Sequence, residues 1–255
     1  MSIMPAIFVG HGSPMIAIED SPYSRTWAQI AAELPKPEAI LSISAHWYTK
    51  GTRVMVNDRP RTIHDFYGFP EALYRIMYPA SGAPDYARKA RELLGDSAVF
   101  DESWGLDHGT WCVLRSMYPE ADIPVFQVSV DRSASPEEHY ALGRKLFDLR
   151  NQGVMIFGSG NVVHNLSMID WSRGGGYDWA YEFDNAIVDH VLKKAHQGVI
   201  EYQRLGRPAQ MAVPTLEHFL PLLYVLGAVN ENDLIRVYNQ VCTMGSLSMT
   251  SYVFA

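Results

Sequence analysis

The stretch AILSISAHWYT, residues 39–49, decides the fold. Ile40, Leu41 and Ile43 stand among small residues with no charged side chain, so neither face of the segment is built for water. A short apolar run of that kind reads as a central strand covered on both sides by helices. It stops at His46, followed by Trp47 and Tyr48. A histidine at the C-terminal mouth of a buried strand is either a satisfied structural residue or a working one.

Two other runs share the pattern, AIFVG (6–10) and GVMIFGSG (153–160). Further strand candidates are RVMVN (53–57), IPVFQVSV (123–130), LIRVYNQV (234–241) and SLSMTSYVF (246–254). The intervening patterns predict helices over 23–34, 84–94, 109–118, 136–150, 178–196 and 217–227. Ser21 and Ser135 are candidate caps, each followed by a proline where a first helical turn tolerates one, and Glu137 and Glu138 lie near the positive end of their helix. The GGG at 174–176 is too short for a linker, and no repeat is visible. The expectation is an α/β chain, residues 1–255 forming a single three-layer α/β/α domain around a central, mostly parallel or mixed sheet. Sites in such sheets form beyond the strand ends.

Composition narrows the function classes. Hydrophobic residues make up 47% and charged residues 19% of the 255, an ordinary globular balance. A net charge of −7 with no Lys/Arg block argues against nucleic-acid partners and gives no attraction to anionic membranes. FLPLLYVLGAV (219–229) is shorter than the ~20 residues of a membrane span. The N-terminal segment lacks the pattern of a signal peptide. Cys112 and Cys242 both sit in apolar contexts, which suits two reduced thiols in a cytoplasmic protein, a monomer or small homo-oligomer.

Among nine histidines, three occupy matching places. His11 follows AIFVG, His46 ends AILSISA, and His164 follows GVMIFGSGNVV. If the three strands are parallel neighbours, the imidazoles converge on one crevice. A fourth, His218, opens a predicted helix beside Glu217. Singly, each is more often a hydrogen-bonded structural residue. Together they suggest a metal site, because neutral imidazole is the commonest metal ligand and suits Zn, Fe, Cu or Ni. Gly10 and Gly12 flank His11 and permit a tight turn there. FGSGN (157–161) lacks the glycine spacing of a nucleophile elbow, and neither a phosphate-binding glycine loop nor an HExxH or paired CxxC occurs.

VGHGSPM, SAHWYT, TIHDFYGFP, GLDHGTW, SGNVVHN, PTLEHFLPLLYVLG and MGSLSM occur in this order. Together, over residues 5 to 252, they closely resemble the bacterial and plant 4,5-DOPA extradiol dioxygenases, class III or LigB-type ring-opening enzymes. The resemblance implies a LigB-like fold and a metal held by His11, His46 and His218. It implies that His164 is either a further metal ligand or an acid/base group. It implies that His108 and His64 line the substrate pocket, His108 also taking part in catalysis. It implies Fe(II) as the working metal, with a catechol such as L-DOPA and O₂ as substrates. A glutamate completes the ligand triad in another branch of the class, so the adjacent Glu217 and His218 compete for one role. Zn(II) binds imidazole sites more tightly than Fe(II), so zinc is expected in purified protein. Trp47, Tyr48, Phe66, Tyr67 and Trp111 are candidate walls for a flat substrate. A zinc-dependent hydrolase and a non-catalytic metal-binding relative on the same fold are the alternatives.

Overall fold

A computed structural model describes residues 3–255. Six strands form the central sheet: β1 (Ala6–Gly10), β2 (Ala39–Ser44), β3 (Val125–Gln127), β4 (Val154–Gly160), β5 (Ile235–Tyr238) and β6 (Ser251–Phe254). Their spatial order is β3-β2-β4-β1-β6-β5. The first four are mutually parallel, and β6 pairs antiparallel with both β1 and β5, so the sheet is mixed. The three strands that are apolar on both faces, β2, β4 and β1, are its interior, as their composition requires.

Six longer helices cover the sheet: α1 (Pro22–Glu33), α2 (Pro84–Leu94), α3 (His108–Met117), α4 (Pro136–Leu146), α5 (Asp178–Leu192) and α6 (Leu220–Gly227). Side-chain alternation along a strand sends Ser42 and Ser44 to one face. There Ser42 Oγ lies 2.8 Å from Thr110 Oγ1, and Ser44 Oγ donates to Asp107 Oδ1 at 2.6 Å, so α3 covers that side. The opposite face lies under α6, where a Cβ on Gly158 would come within 2.6 Å of Val225. The expected three-layer α/β/α arrangement is the one formed. Ser21 and Ser135 cap α1 and α4 through reciprocal capping boxes.

Several expected boundaries move. The run 123–130 is interrupted after Gln127, and Val130–Asp131 pairs separately with Tyr48–Thr49. The run 246–254 divides at Met249–Thr250, where Ser248 and Thr250 both donate to the buried Asp184. The helix expected over 136–150 ends at Leu146 in a tighter turn, Phe147–Gln152. The one expected over 178–196 ends at Leu192, close to Lys194 with its positive φ of 53°, and a short helix His196–Ile200 follows. The helix expected over 217–227 begins only at Leu220, because Pro221 belongs in a first turn. His218 therefore does not open that helix; it sits in the turn ahead of it. Among the described residues no helix is long and apolar enough to cross a membrane.

Candidate active site

The parallel register brings the C-terminal ends of β1, β2 and β4 level. Ser44 pairs with Ser159, and Gly10 with Gly160. His11 follows Gly10 directly and His46 follows Ser44 by two residues, so both imidazoles leave the sheet at one height. Their Nε2 atoms lie 3.1 Å apart. Gly12, in positive-φ backbone at 63°, turns the chain away just after His11. His218 arrives from the opposite side, its ring centroid 5.4 Å from that of His11 and 5.1 Å from that of His46. One nitrogen from each of the three lies within 4.8 Å of the others. Gly160 makes that approach possible, since a Cβ there would sit 2.1 Å from the His218 carbonyl oxygen. Of the adjacent pair Glu217 and His218, it is the histidine that reaches His11 and His46.

The surroundings fix which nitrogens carry protons. Ser159 Oγ donates its only proton to the Gly109 carbonyl at 2.5 Å. His11 Nδ1, 3.0 Å from the same oxygen, must therefore be the donor between them, which leaves Nε2 bare. His46 Nδ1 lies 3.1 Å from Asp65 Oδ2, and a lone pair facing a carboxylate would be repelled, so the proton is on Nδ1 here too. His218 Nδ1 is 3.3 Å from Glu217 Oε1 and follows the same logic. The bare Nε2 atoms of His11 and His46 thus face each other with no proton between them. Burial first, then the neighbouring imidazoles, hold His11 and His218 well below the ordinary histidine range. A cation between the two Nε2 atoms would relieve their repulsion. The donor set is neutral imidazole with carboxylate and hydroxyl groups behind it, the arrangement that orients metal-bound histidines.

His164 lies beside this group. Its ring stacks on His218, with centroids 3.4 Å apart and planes at 8°, and it shares a second cluster with Glu217 and His218. Its backbone N–H donates to Ala212 O, and burial pushes its side chain down to about 4. His108 is the first residue of α3. Its ring centroid lies 3.8 Å from that of His46, and its Nδ1 is 3.0 Å from Asp65 Oδ2, the oxygen His46 also faces. Asp65 Oδ1 accepts the His108 backbone N–H at 2.9 Å. Burial alone would raise the Asp65 carboxyl, but the contacts from His108 and His46 outweigh it and hold it far below the usual carboxylate range. Burial lowers His108, opposed by Asp65.

Beneath α3 a buried polar network fixes where this helix starts. Asp107 caps it, receives Ser44 Oγ on one oxygen and Gln127 Nε2, at 3.0 Å, on the other. Thr110 bonds both Ser42 and Gln127. The start of α3, and with it His108, is thereby tied to the ends of β2 and β3.

The imidazoles floor a cavity of about 460 Å³, with His11, His46, His108, His164 and His218 all in its lining. His64 is not in the lining: its Nε2 is 2.9 Å from the Ile76 carbonyl and its ring stands edge-on to Phe66. Of the five aromatic candidates, Phe66 and Tyr67 line the cavity. Trp47 instead stacks on Trp104, and the Trp111 indole donates to Ile63 O. Asp65 and Ser159 were not picked out by the sequence pattern. A signal for Asp65 was present in TIHDF: in extended backbone adjacent side chains point to opposite sides, so with His64 turned outward Asp65 turns in. Nothing local marked Ser159, whose role depends on the register of β4 against β1.

The family described as the catalytic LigB subunit of aromatic ring-opening dioxygenase matches residues 5–255. A protein of Escherichia coli K12 named 4,5-DOPA dioxygenase extradiol is 46% identical over 97% of this chain and 93% of that one. A protein of the same name from Beta vulgaris is 38% identical over 99% and 97%. The crystal structure of an uncharacterized Escherichia coli K12 protein superposes with a TM-score of 0.86 at 40% identity, covering 99% of this chain and all of that one. The fold, the seven ordered motifs and these likenesses agree: the chain belongs to the LigB family and is a ring-opening dioxygenase of the extradiol type.

Proposed function

We propose that this chain cleaves catechols beside the diol, at the 4,5 bond of L-DOPA-like rings, using non-haem Fe(II) and O₂. The observation that carries the reading is the pair of bare Nε2 atoms of His11 and His46, 3.1 Å apart at the floor of a cavity, with His218 alongside. These three would hold the metal. When bound, Fe(II) supplies the one-electron chemistry that lets triplet dioxygen react with a singlet catechol. Three protein ligands leave coordination positions open, as that chemistry requires.

The remaining steps fall to the chain's own groups. His164, beside His218 but apart from His11, is assigned as the acid/base: it takes a catechol proton and returns it during ring opening. His108, its ring nitrogen 3.0 Å from Asp65, is placed to meet a substrate hydroxyl. Asp65 positions His46 and His108 together. Phe66 bounds the flat ring, and His64 supports Phe66 from behind. Apolar walls keep bulk water from the reacting ring. Residues 1–255 are read as one catalytic domain of a cytoplasmic enzyme, a monomer or small homo-oligomer, consistent with two buried free thiols.

The test is anaerobic loading of metal-free protein with Fe(II) or Zn(II), then addition of O₂ and a catechol panel including L-DOPA. Fe(II) protein is expected to consume O₂ and form a yellow ring-opened product, and Zn(II) protein is not, since zinc has no redox chemistry. Absence of O₂ uptake by iron-loaded protein with every catechol overturns the reading. Ester or amide hydrolysis by the zinc form, indifferent to O₂, would replace it with a hydrolase.

A further inference from the structure

MGSLSM (244–249), the last of the seven motifs, contributes only Met244 and Leu247 to the cavity lining. Its place in the fold gives it another task. His164 lies four residues beyond the end of β4, in irregular chain that the central sheet does not hold. Residues 246–248 run antiparallel beside it. Ser248 N–H donates to Val163 O at 3.0 Å and Asn165 N–H to Ser246 O at 3.1 Å. These two bonds flank His164 and leave it directly opposite Leu247, in the closer kind of antiparallel pair. Both residues line the cavity. A slip of one residue would turn His164 to the other face and away from it.

Two backbone bonds are too short a ladder to fix their own register, and side chains do it. Ser246 Oγ donates to Asn165 O at 2.7 Å, and Asn161 Nδ2 to Ser248 O at 2.9 Å. Ser248 Oγ donates to Asp184 Oδ1 at 2.5 Å, and Thr250 Oγ1 to Asp184 Oδ2 at 2.7 Å. The motif also sits on the end of β1, where a Cβ on Gly10 would come within 2.6 Å of the Met249 carbonyl carbon. Asp184 is fully buried in the middle of α5 and is the one anchor supplied by a helix. Burial pushes its carboxyl up, and the two hydroxyls oppose the rise. Burying such a group is costly unless its hydrogen bonds are made, and here both oxygens are used on this one bend.

We infer that Asp184, through Ser248 and Thr250, is a positioning residue: it locks the register of the MGSLSM segment against residues 163–165 and so turns the His164 imidazole into the cavity, stacked on His218. His164 is the group that meets substrate, and Asp184 acts through it. The kinetic consequence rests on the acid/base reading of His164; the geometry does not.

Two measurements on Asp184→Asn, which keeps the side-chain volume, test this. The first reads geometry in Zn(II)-loaded protein, without turnover. The His164 ring protons, identified in NMR spectra by their absence from His164→Ala, should carry the ring-current shift of a stack at 3.4 Å. Asp184→Asn is expected to lose that shift while keeping its Zn(II). The second is a double-mutant cycle on iron-loaded protein with L-DOPA. Asp184→Asn alone is expected to lower kcat by about 10–100-fold, the cost of a small misplacement, with KM and iron content retained. In the His164→Ala background it should add less than about twofold, because no imidazole is left to misplace. A general loss of stability would instead lower kcat equally in both backgrounds. Should Asp184→Asn not fold, Ser248→Ala, which leaves the carboxyl its Thr250 donor, takes its place. An unchanged His164 shift, equal kcat losses in the two backgrounds, or iron loss as large as in His46→Ala overturns the inference. A lost shift together with parental turnover by His164→Ala overturns the acid/base reading alone and leaves the positioning of His164 standing.

Discussion

The two ends of the central sheet are built on opposite electrostatic terms. At the end where the parallel strands begin, Arg150 is fully buried and every direction of its guanidinium is answered. It makes a paired contact with Asp233 at 2.6 and 3.0 Å and donates to the carbonyls of Met4, Ala228 and Phe254. Those partners come from the segments that lead into or leave β1, α6, β5 and β6, so one side chain ties four elements. At the end where the strands finish, buried nitrogens are arranged with lone pairs facing one another. The first end is complete within the chain; the second is complete only with a cation. Stability is concentrated at one end and chemistry at the other.

Replacing His46 by Ala should break the chemical end most severely. Loss of most bound metal and of nearly all turnover is expected, while the metal-free fold survives because a repulsive contact has been removed. Stoichiometric metal by plasma emission in both His11→Ala and His46→Ala would refute the ligand assignment. Arg150→Ala attacks the other end and should give the reverse outcome. Leaving Asp233 buried and unpaired costs about 3–5 kcal/mol of folding stability, read by urea denaturation, while metal bound per folded molecule stays the same. If Arg150→Ala is no less stable than the parent, the buried pair does not hold this end together.

His164→Ala sharpens the contrast within the site. A retained iron content with kcat lowered by about 10²–10⁴-fold is expected for an acid/base group. Iron content and single-turnover rate are measured on one sample. Metal loss equal to that of His46→Ala would make His164 a ligand instead. Asp65→Asn is expected to weaken metal affinity by about 10–100-fold, the usual cost of losing a carboxylate behind a metal-bound histidine. Asp65→Glu should recover part of it. Equal metal affinity in Asp65→Asn and the parent would show that Asp65 does not orient His46.

The pH dependence of the metal-free protein tests the chemical end without any substitution. His11, His108, His164 and His218 are all lowered, principally by burial. Below the ordinary imidazole value of about 6.5 the unfolded chain takes up protons that the folded site refuses. Stability is therefore full above that value and falls as pH drops from about 6.5 toward 4, by at most ~1.4 kcal/mol per pH unit for each such group. A flat profile between about pH 7 and 5.5 would contradict neutral, buried imidazoles.

The sequence determined the interior of this protein by itself. Runs apolar on both faces could only be central strands, and three histidines placed at or beyond the ends of such runs had to meet if the strands were parallel neighbours. Burial is encoded residue by residue, so it is legible without coordinates. The edges were less legible, because α6 starts where Pro221 permits and α5 ends just before a positive-φ lysine, effects of single backbone positions on an otherwise continuous pattern. Three matters were left to the tertiary structure. It chose His218 over Glu217 to approach His11 and His46, because the turn before α6 packs its backbone against Gly160. It brought Asp65 between His46 and His108 from a loop whose neighbour, His64, turned the other way. It placed Ser159 against His11 through the register of β4 on β1, and so fixed a tautomer. Each depends on which atoms of distant segments come within about 3 Å of one another, a property of packing that no periodicity along the chain records.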